Sequence, residues 1–139
     1  MPLTIDLKHG DRMIINGAVI EMASPNSKII VHNEAAILRG KEIMQQEDAR
    51  TPAARVYFSL QGAYIFKDKE QEFLEAFDRY LADFLKATPS SLKIVQKIKE
   101  LVEKDQIYKA LKEAHALIEH EENVLKSAGI DVNSFTGKG

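Results

Sequence analysis

The sequence predicts an α+β protein, with a small antiparallel β unit of about five strands over residues 1–45 and a bundle of about four helices over residues 46–139. Up to about residue 45, apolar residues alternate with period two and turn dipeptides separate the runs. From about residue 50 to 128, apolar residues instead recur every three to four positions, as one face of a helix requires. The length of 139 residues suits one domain or two small units.

In the first part, Leu3, Ile5 and Leu7 alternate with Thr4, Asp6 and Lys8, the pattern of a half-buried strand. His9, Gly10 and Asp11 supply a turn. Arg12 to Ile15 form the next run and meet Asn16-Gly17, a dipeptide that tolerates positive φ at both central positions of a tight hairpin. Ala18 to Met22 continue beyond it, and Ser24 to Lys28, centred on Pro25 and Asn26, mark another turn. Ile29 to His32 and Ala36 to Arg39 complete the strands. So many short strands leave exposed edges, and a five-strand unit of this size is near the lower limit for an adequate core, so it is expected to pair with a second copy or to dock on the helices.

The helical part opens at Thr51, an N-cap candidate, with Pro52 at the first helical position, where its missing N–H costs nothing. The run Ala53 to Phe66 carries Val56, Tyr57, Leu60 and Tyr64 on one side and Phe58, Ile65 and Phe66 on the other, which predicts a central, buried helix. Asp68 and Gln71 have capping-box spacing before a stripe of Phe73, Leu74, Phe77, Tyr80, Leu81, Phe84 and Leu85. Thr88, Pro89 and Ser90 break it. A third helix turns Ile94, Val95, Ile98, Leu101 and Val102 inward, and a fourth, from about Gln106, aligns Ile107, Leu111, Ala114, Ile118 and Leu125. Gly129 suits a left-handed C′ position, with Ile130 packing back on Leu125, and the tail after Val132 is expected to fray.

Little in the sequence points to catalysis. It has no cysteine, which removes thiolate chemistry, disulfides and thiolate metal sites. The histidines His9, His32, His115 and His120 are scattered, and the last two project about 140° apart on a helix, so no metal pair forms. Glu70, Glu72, Glu75, Asp78 and Asp83 occupy the polar face of the amphipathic second helix. No phosphate-binding glycine loop or nucleophile elbow is present. The expectation is a protein without enzymatic activity, cofactor or metal. The start of the chain shows no signal-peptide pattern and no apolar run is long enough to span a bilayer, so a cytoplasmic protein without membrane contact is expected.

The formal net charge of -2 excludes nucleic-acid binding through an overall positive field. Any such contact must be local. The bases of the β part, Lys8, Arg12, Lys28, Arg39 and Lys41, lie at strand ends or turns and are matched in number by Asp6, Asp11, Glu21, Glu34 and Glu42.

The stretches LKHGDRMIINGAVIEM from Leu7, LRGKEIM from Leu38, TPAARVYF from Thr51 and YKALK at 108–112 resemble the FlbT family of flagellum-biosynthesis regulators over nearly the whole chain. The resemblance implies a post-transcriptional repressor that associates with the 5′ untranslated region of flagellin mRNA and promotes its decay. Family members often carry arginines in the turn that here reads SPNSK, 24–28. The β part alone also resembles carbon storage regulator, CsrA, a strand-exchanging dimer that binds RNA loops through an arginine near the end of its last strand. The matching residue is Arg39. The resemblance implies RNA contacts by Arg39 and Lys41, aided by Arg12, Lys8 and Lys28. Residues Ile94 to Glu121 look like a single hairpin of the tetratricopeptide kind, too few for a solenoid.

Two readings stay open. In one, the chain binds a flagellin mRNA leader, with a homodimer among its assemblies. In the other, it is an adaptor or chaperone that holds a flagellar regulatory or export protein and affects RNA indirectly.

Overall fold

The computed structural model describes residues 2–129. The chain divides into two compact units, which meet in sequence between Ile43 and Met44.

The first unit holds strands β1 (Leu3–Leu7), β2 (Arg12–Ile15), β3 (Ala18–Glu21), β4 (Ser27–Val31) and β5 (Ile37–Arg39). They form two antiparallel sheets, β1-β4 and β3-β2-β5. In the first, Ile5 lies opposite Ile29, and in the second Met13 lies opposite both Ile20 and Arg39. Asn16 (φ 49) and Gly17 (φ 90) both take the positive φ that a two-residue hairpin between right-twisted strands needs. Asn16 also reaches across to the segment before β5. Its N–H donates to the Ala36 carbonyl at 2.9 Å, and its Oδ1 accepts from the Ala36 N–H at 2.8 Å. The hairpin tip therefore also fixes the entry into β5. Ile5, Leu7 and Met13 are the buried centre, ringed by partly buried Ile15, Met22, Ile29, Val31 and Ile37.

The second unit contains α1 (Pro52–Ile65), α2 (Glu70–Ala87), α3 (Leu92–Glu103) and α4 (Ile107–Ser127). The α+β class with strands first and helices after is as predicted. Helix α1 packs on both α2 and α4, and α3 packs on α4. Being surrounded, α1 buries residues on every side, among them Val56, Tyr57, Leu60 and Ile65. Gly62 of α1 faces Phe73 of α2 so closely that a Cβ there would overlap the ring. The missing side chain lets the Phe73 ring cross α1 and stack on Phe66, with centroids 6.1 Å apart.

The buried N-terminus of α1 needs acceptors for N–H groups that water does not reach. Thr51 Oγ1 accepts from the Ala54 N–H at 3.1 Å, as the sequence predicts. Glu121, buried on α4, accepts from the Ala53 N–H at 3.0 Å across 68 residues of sequence. A carboxylate at this end also meets the positive pole of the helix.

Several local expectations differ. The capping box at Asp68 and Gln71 does not form, because Asp68 falls inside a 3-10 turn, Lys67–Lys69, and α2 starts at Glu70 without a side-chain cap. Gln71 Nε2 instead reaches Glu75 Oε1 at 3.4 Å. On α4 the buried line runs through Ile107, Ala110, Leu111, Ala114, Leu117 and Glu121, with Ile118 and Leu125 only half-buried. The shift arises because α4 lies between α1 and α3 and buries a wider face than a single stripe. Gly129 has φ 76, as its C′ role requires. The contact of Ile130 with Leu125 and the tail after Val132 lie outside the described residues.

Stability changes are expected at two places, the N-terminus of α1 and the Gly62–Phe73 contact. Thr51→Ala removes one cap and should cost about 1 kcal/mol, whereas Glu121→Ala leaves a buried N–H unpaired and should cost about 1.5–3 kcal/mol, with Glu121→Gln recovering part of it. Gly62→Ala gains about 1 kcal/mol of helix propensity but overpacks against Phe73 by about 1–3 kcal/mol, so it should destabilise on balance. Adding Phe73→Leu should relieve that loss. Urea unfolding of the single and paired variants checks both.

Candidate nucleic-acid interface

Strand alternation places Asp6 on the outer side of β1, opposite Lys28 of β4. Their side chains approach at 3.8 Å, both more than 70% exposed, a pairing that contributes little stability. Arg39 ends β5, and its Nη2 donates to the Asp6 carbonyl at 3.0 Å, joining the two sheets. The Arg39 N–H donates to Glu42 Oε1 at 2.9 Å, which fixes the backbone as the chain leaves β5. In the turn after β1, the Lys8 N–H donates to Asp11 Oδ2 at 2.9 Å and the Asp11 N–H returns a bond to the Lys8 carbonyl at 3.0 Å.

These elements surround a cleft of about 580 Å³ lined by Asp6, Leu7, Lys8, Asp11, Asn26, Ser27, Lys28 and Arg39. That volume is in the range of small-ligand sites. Three bases therefore converge from three separate strand ends. Two acids, Asp6 and Asp11, hold or offset them, so the cleft has a small local positive excess inside a neutral unit. Asn26 and Ser27 add uncharged donors and acceptors of the kind that read base edges.

Of the five bases singled out from sequence, Lys8, Lys28 and Arg39 meet here, while Arg12 and Lys41 do not line the cleft. Arg12 Nε donates to Glu21 Oε1 at 2.8 Å on the β2–β3 ladder. Lys41 is exposed in the 3-10 turn Gly40–Glu42. Asn26 and Ser27 were missed as lining residues; their place in the polar turn SPNSK was the signal that could have found them.

Elsewhere, His120 hydrogen-bonds Ser90 at 2.9 Å, and the His115 ring sits edge-on to Tyr57 at 5.9 Å. Among the described residues no group of three or more histidines or carboxylates could hold a metal ion. No helix among them is long and apolar enough to cross a membrane.

The small β unit thus carries a polar, locally basic cleft and is followed in sequence by a helical bundle. The sequence profile described as "Flagellar protein FlbT" matches residues 3–125, and the chain belongs to the FlbT family. A probable flagellum biosynthesis repressor from Caulobacter sp. (strain K31) is 34% identical over 127 residues, 90% of this chain and 97% of that protein. The flagellum biosynthesis repressor of Caulobacter vibrioides (strain ATCC 19089 / CIP 103742 / CB 15) is 32% identical over 99% of this chain and 100% of its own length. A probable repressor from Rhodopseudomonas palustris (strain TIE-1) is 30% identical over 90% of this chain and 98% of its own. No solved structure matches the chain significantly.

Because the Arg39 contact to Asp6 is solvent-exposed, Arg39→Ala should cost only about 0.5–1.5 kcal/mol. Its far-ultraviolet circular dichroism should match wild type, with a slightly lower urea midpoint.

Proposed function

We propose that the chain is a post-transcriptional repressor of flagellin synthesis and flagellum biogenesis that works in the cytoplasm, binding the 5′ untranslated region of flagellin mRNA and promoting its decay. The observation that carries this reading is the convergence of Lys8, Lys28 and Arg39 with Asn26 and Ser27 on one cleft. The names of the FlbT relatives support the repressor part of this reading. Cations from three strand ends can follow a bent, single-stranded phosphate backbone, and the amide and hydroxyl can reach an unpaired base. Arg12 and Lys41, which do not line the cleft, are proposed as further phosphate contacts. Bound protein exposes the message to a cellular nuclease rather than cutting it. A second copy of the chain is a protein partner of this assembly.

An adaptor role, holding a flagellar regulatory or export protein, draws on a different observation. The helical unit exposes Phe66, Leu92 and Val124, each 40% or more accessible. Apolar side chains of this kind serve a protein partner where they join into one patch.

With labelled flagellin leader RNA, Arg39→Ala and Lys28→Ala should each weaken binding about 5- to 150-fold, or about 1–3 kcal/mol, if each group makes a charge-assisted contact. Arg39→Lys should rescue little where the contact is bidentate. About three phosphate contacts to single-stranded RNA give a slope near -2 for log affinity against log salt. Unchanged affinity in both folded alanine variants would move the function to the adaptor role. Highly purified protein should also leave the RNA intact, and cleavage abolished by changing one of its own carboxylates would overturn the non-enzymatic reading.

A further inference from the structure

The strands of the β unit form two separate antiparallel sheets, β1 with β4, and β2 flanked by β3 and β5, and the Arg39 guanidinium links β5 to β1 through the Asp6 carbonyl. Among the described residues no pairing joins β3 to β4. These strands are consecutive, separated only by residues 22–26, yet among the described residues β3 bonds to β2 alone and β4 to β1 alone. Apolar surface collects at this unit: of seven large apolar side chains exposed among the described residues, Leu3, Val19, Ile20 and Ile30 belong to it. Val19 is 69% accessible and Ile30 57%.

Open edges normally carry a lysine, a proline or a bulge that blocks further pairing. β3 reads Ala-Val-Ile-Glu, and its one charge, Glu21, is already engaged by Arg12 at 2.8 Å. We propose that a second copy of this chain covers the free edge of β3, the β3 strands of two protomers pairing antiparallel across a twofold axis to form an intermolecular seam. A strand paired with itself in this way is self-complementary. With the axis at Val19, Val19 faces the partner's Val19, Ala18 faces the partner's Ile20 and Gly17 faces the partner's Glu21, so no like charges oppose.

Two further observations select a second copy as the occupant. The unit is formally neutral, five bases against five acids, so two copies approach without net repulsion. Among its described residues only Ile5, Leu7, Met13, Ile14, Ala36 and Leu38 are buried apolar side chains, few for a unit of this length, and covering Val19 and Ile20 at the junction of two copies supplies apolar area that it lacks. The pair then carries two clefts on one particle, and a leader RNA with two binding elements gains from both. That consequence rests on the RNA reading; the seam itself does not.

The absence of cysteine makes the test direct. Val19→Cys and Ile20→Cys are oxidised in the full chain at micromolar concentration beside Glu72→Cys, an exposed position on α2, and followed on non-reducing gels. A cysteine at position 19, opposite its own copy, should cross-link about 100-fold faster than one at position 72, as millimolar effective concentration compares with micromolar bulk, and one at position 20 more slowly than at 19. Light scattering should give twice the 15.6 kDa chain mass, falling to one chain in Val19→Lys with an unchanged circular dichroism spectrum. A wild-type monomer, or a dimer whose cysteine at 19 cross-links no faster than at 72, overturns the seam. A monomer that still binds leader RNA sinks the seam and leaves the RNA reading standing. A seam-linked dimer that does not bind RNA does the reverse.

Discussion

Helix α1 buries ten of its fourteen residues, and a helix buried to that extent is stable only if other elements enclose it. The organisation of the helical unit follows from this. α2 and α4 both pack on α1, and α3 packs on α4 rather than on α1. Enclosure also creates two problems that the sequence solves with single residues. Close approach of α2 needs space for the Phe73 ring, which Gly62 provides. A helix start sealed from water needs internal acceptors, which Thr51 and Glu121 provide. Glu121 therefore has a double role, belonging to α4 by sequence and closing α1 by hydrogen bonding.

The β unit faces the opposite difficulty, having too little interior instead of too much. Its strands are three to five residues long, and its order depends heavily on polar links at their ends. Asn16 ties the hairpin to the segment entering β5, and Arg39 ties β5 to β1. The residues that shape the cleft are thus partly the residues that hold the sheets together. This explains how a neutral unit can present a basic site: the acids are not spread evenly, but sit where they position or balance particular bases.

What could be read from sequence was local. Asn16-Gly17, Thr51-Pro52, the stripe of α2 and the break at Pro89 depend on neighbours within a few residues, and each took its expected form. Convergence of Lys8, Lys28 and Arg39 was not legible, because it depends on which strands pair, and the division into two sheets is set by contacts far apart in the chain. The cap from Glu121 to Ala53 was hidden for the same reason; on a helical wheel Glu121 reads as one more solvated acid. Asp68 misled in the other direction, since its spacing to Gln71 fits a capping box while the chain there tightens into a 3-10 turn.

Gln61 lies buried in α1, and its amide meets the backbone of Met44 twice: Oε1 accepts from the Met44 N–H at 2.8 Å and Nε2 donates to the Met44 carbonyl at 3.0 Å. In effect a side chain acts as a one-residue strand partner for the segment that precedes the helices. The helical unit therefore begins, thermodynamically, well before its first helix. Cutting the chain at Thr51 would strand a buried amide with both its donor and its acceptor unmet, at about 1–3 kcal/mol for each group. The natural point of dissection is ahead of Met44, even though nothing helical starts there.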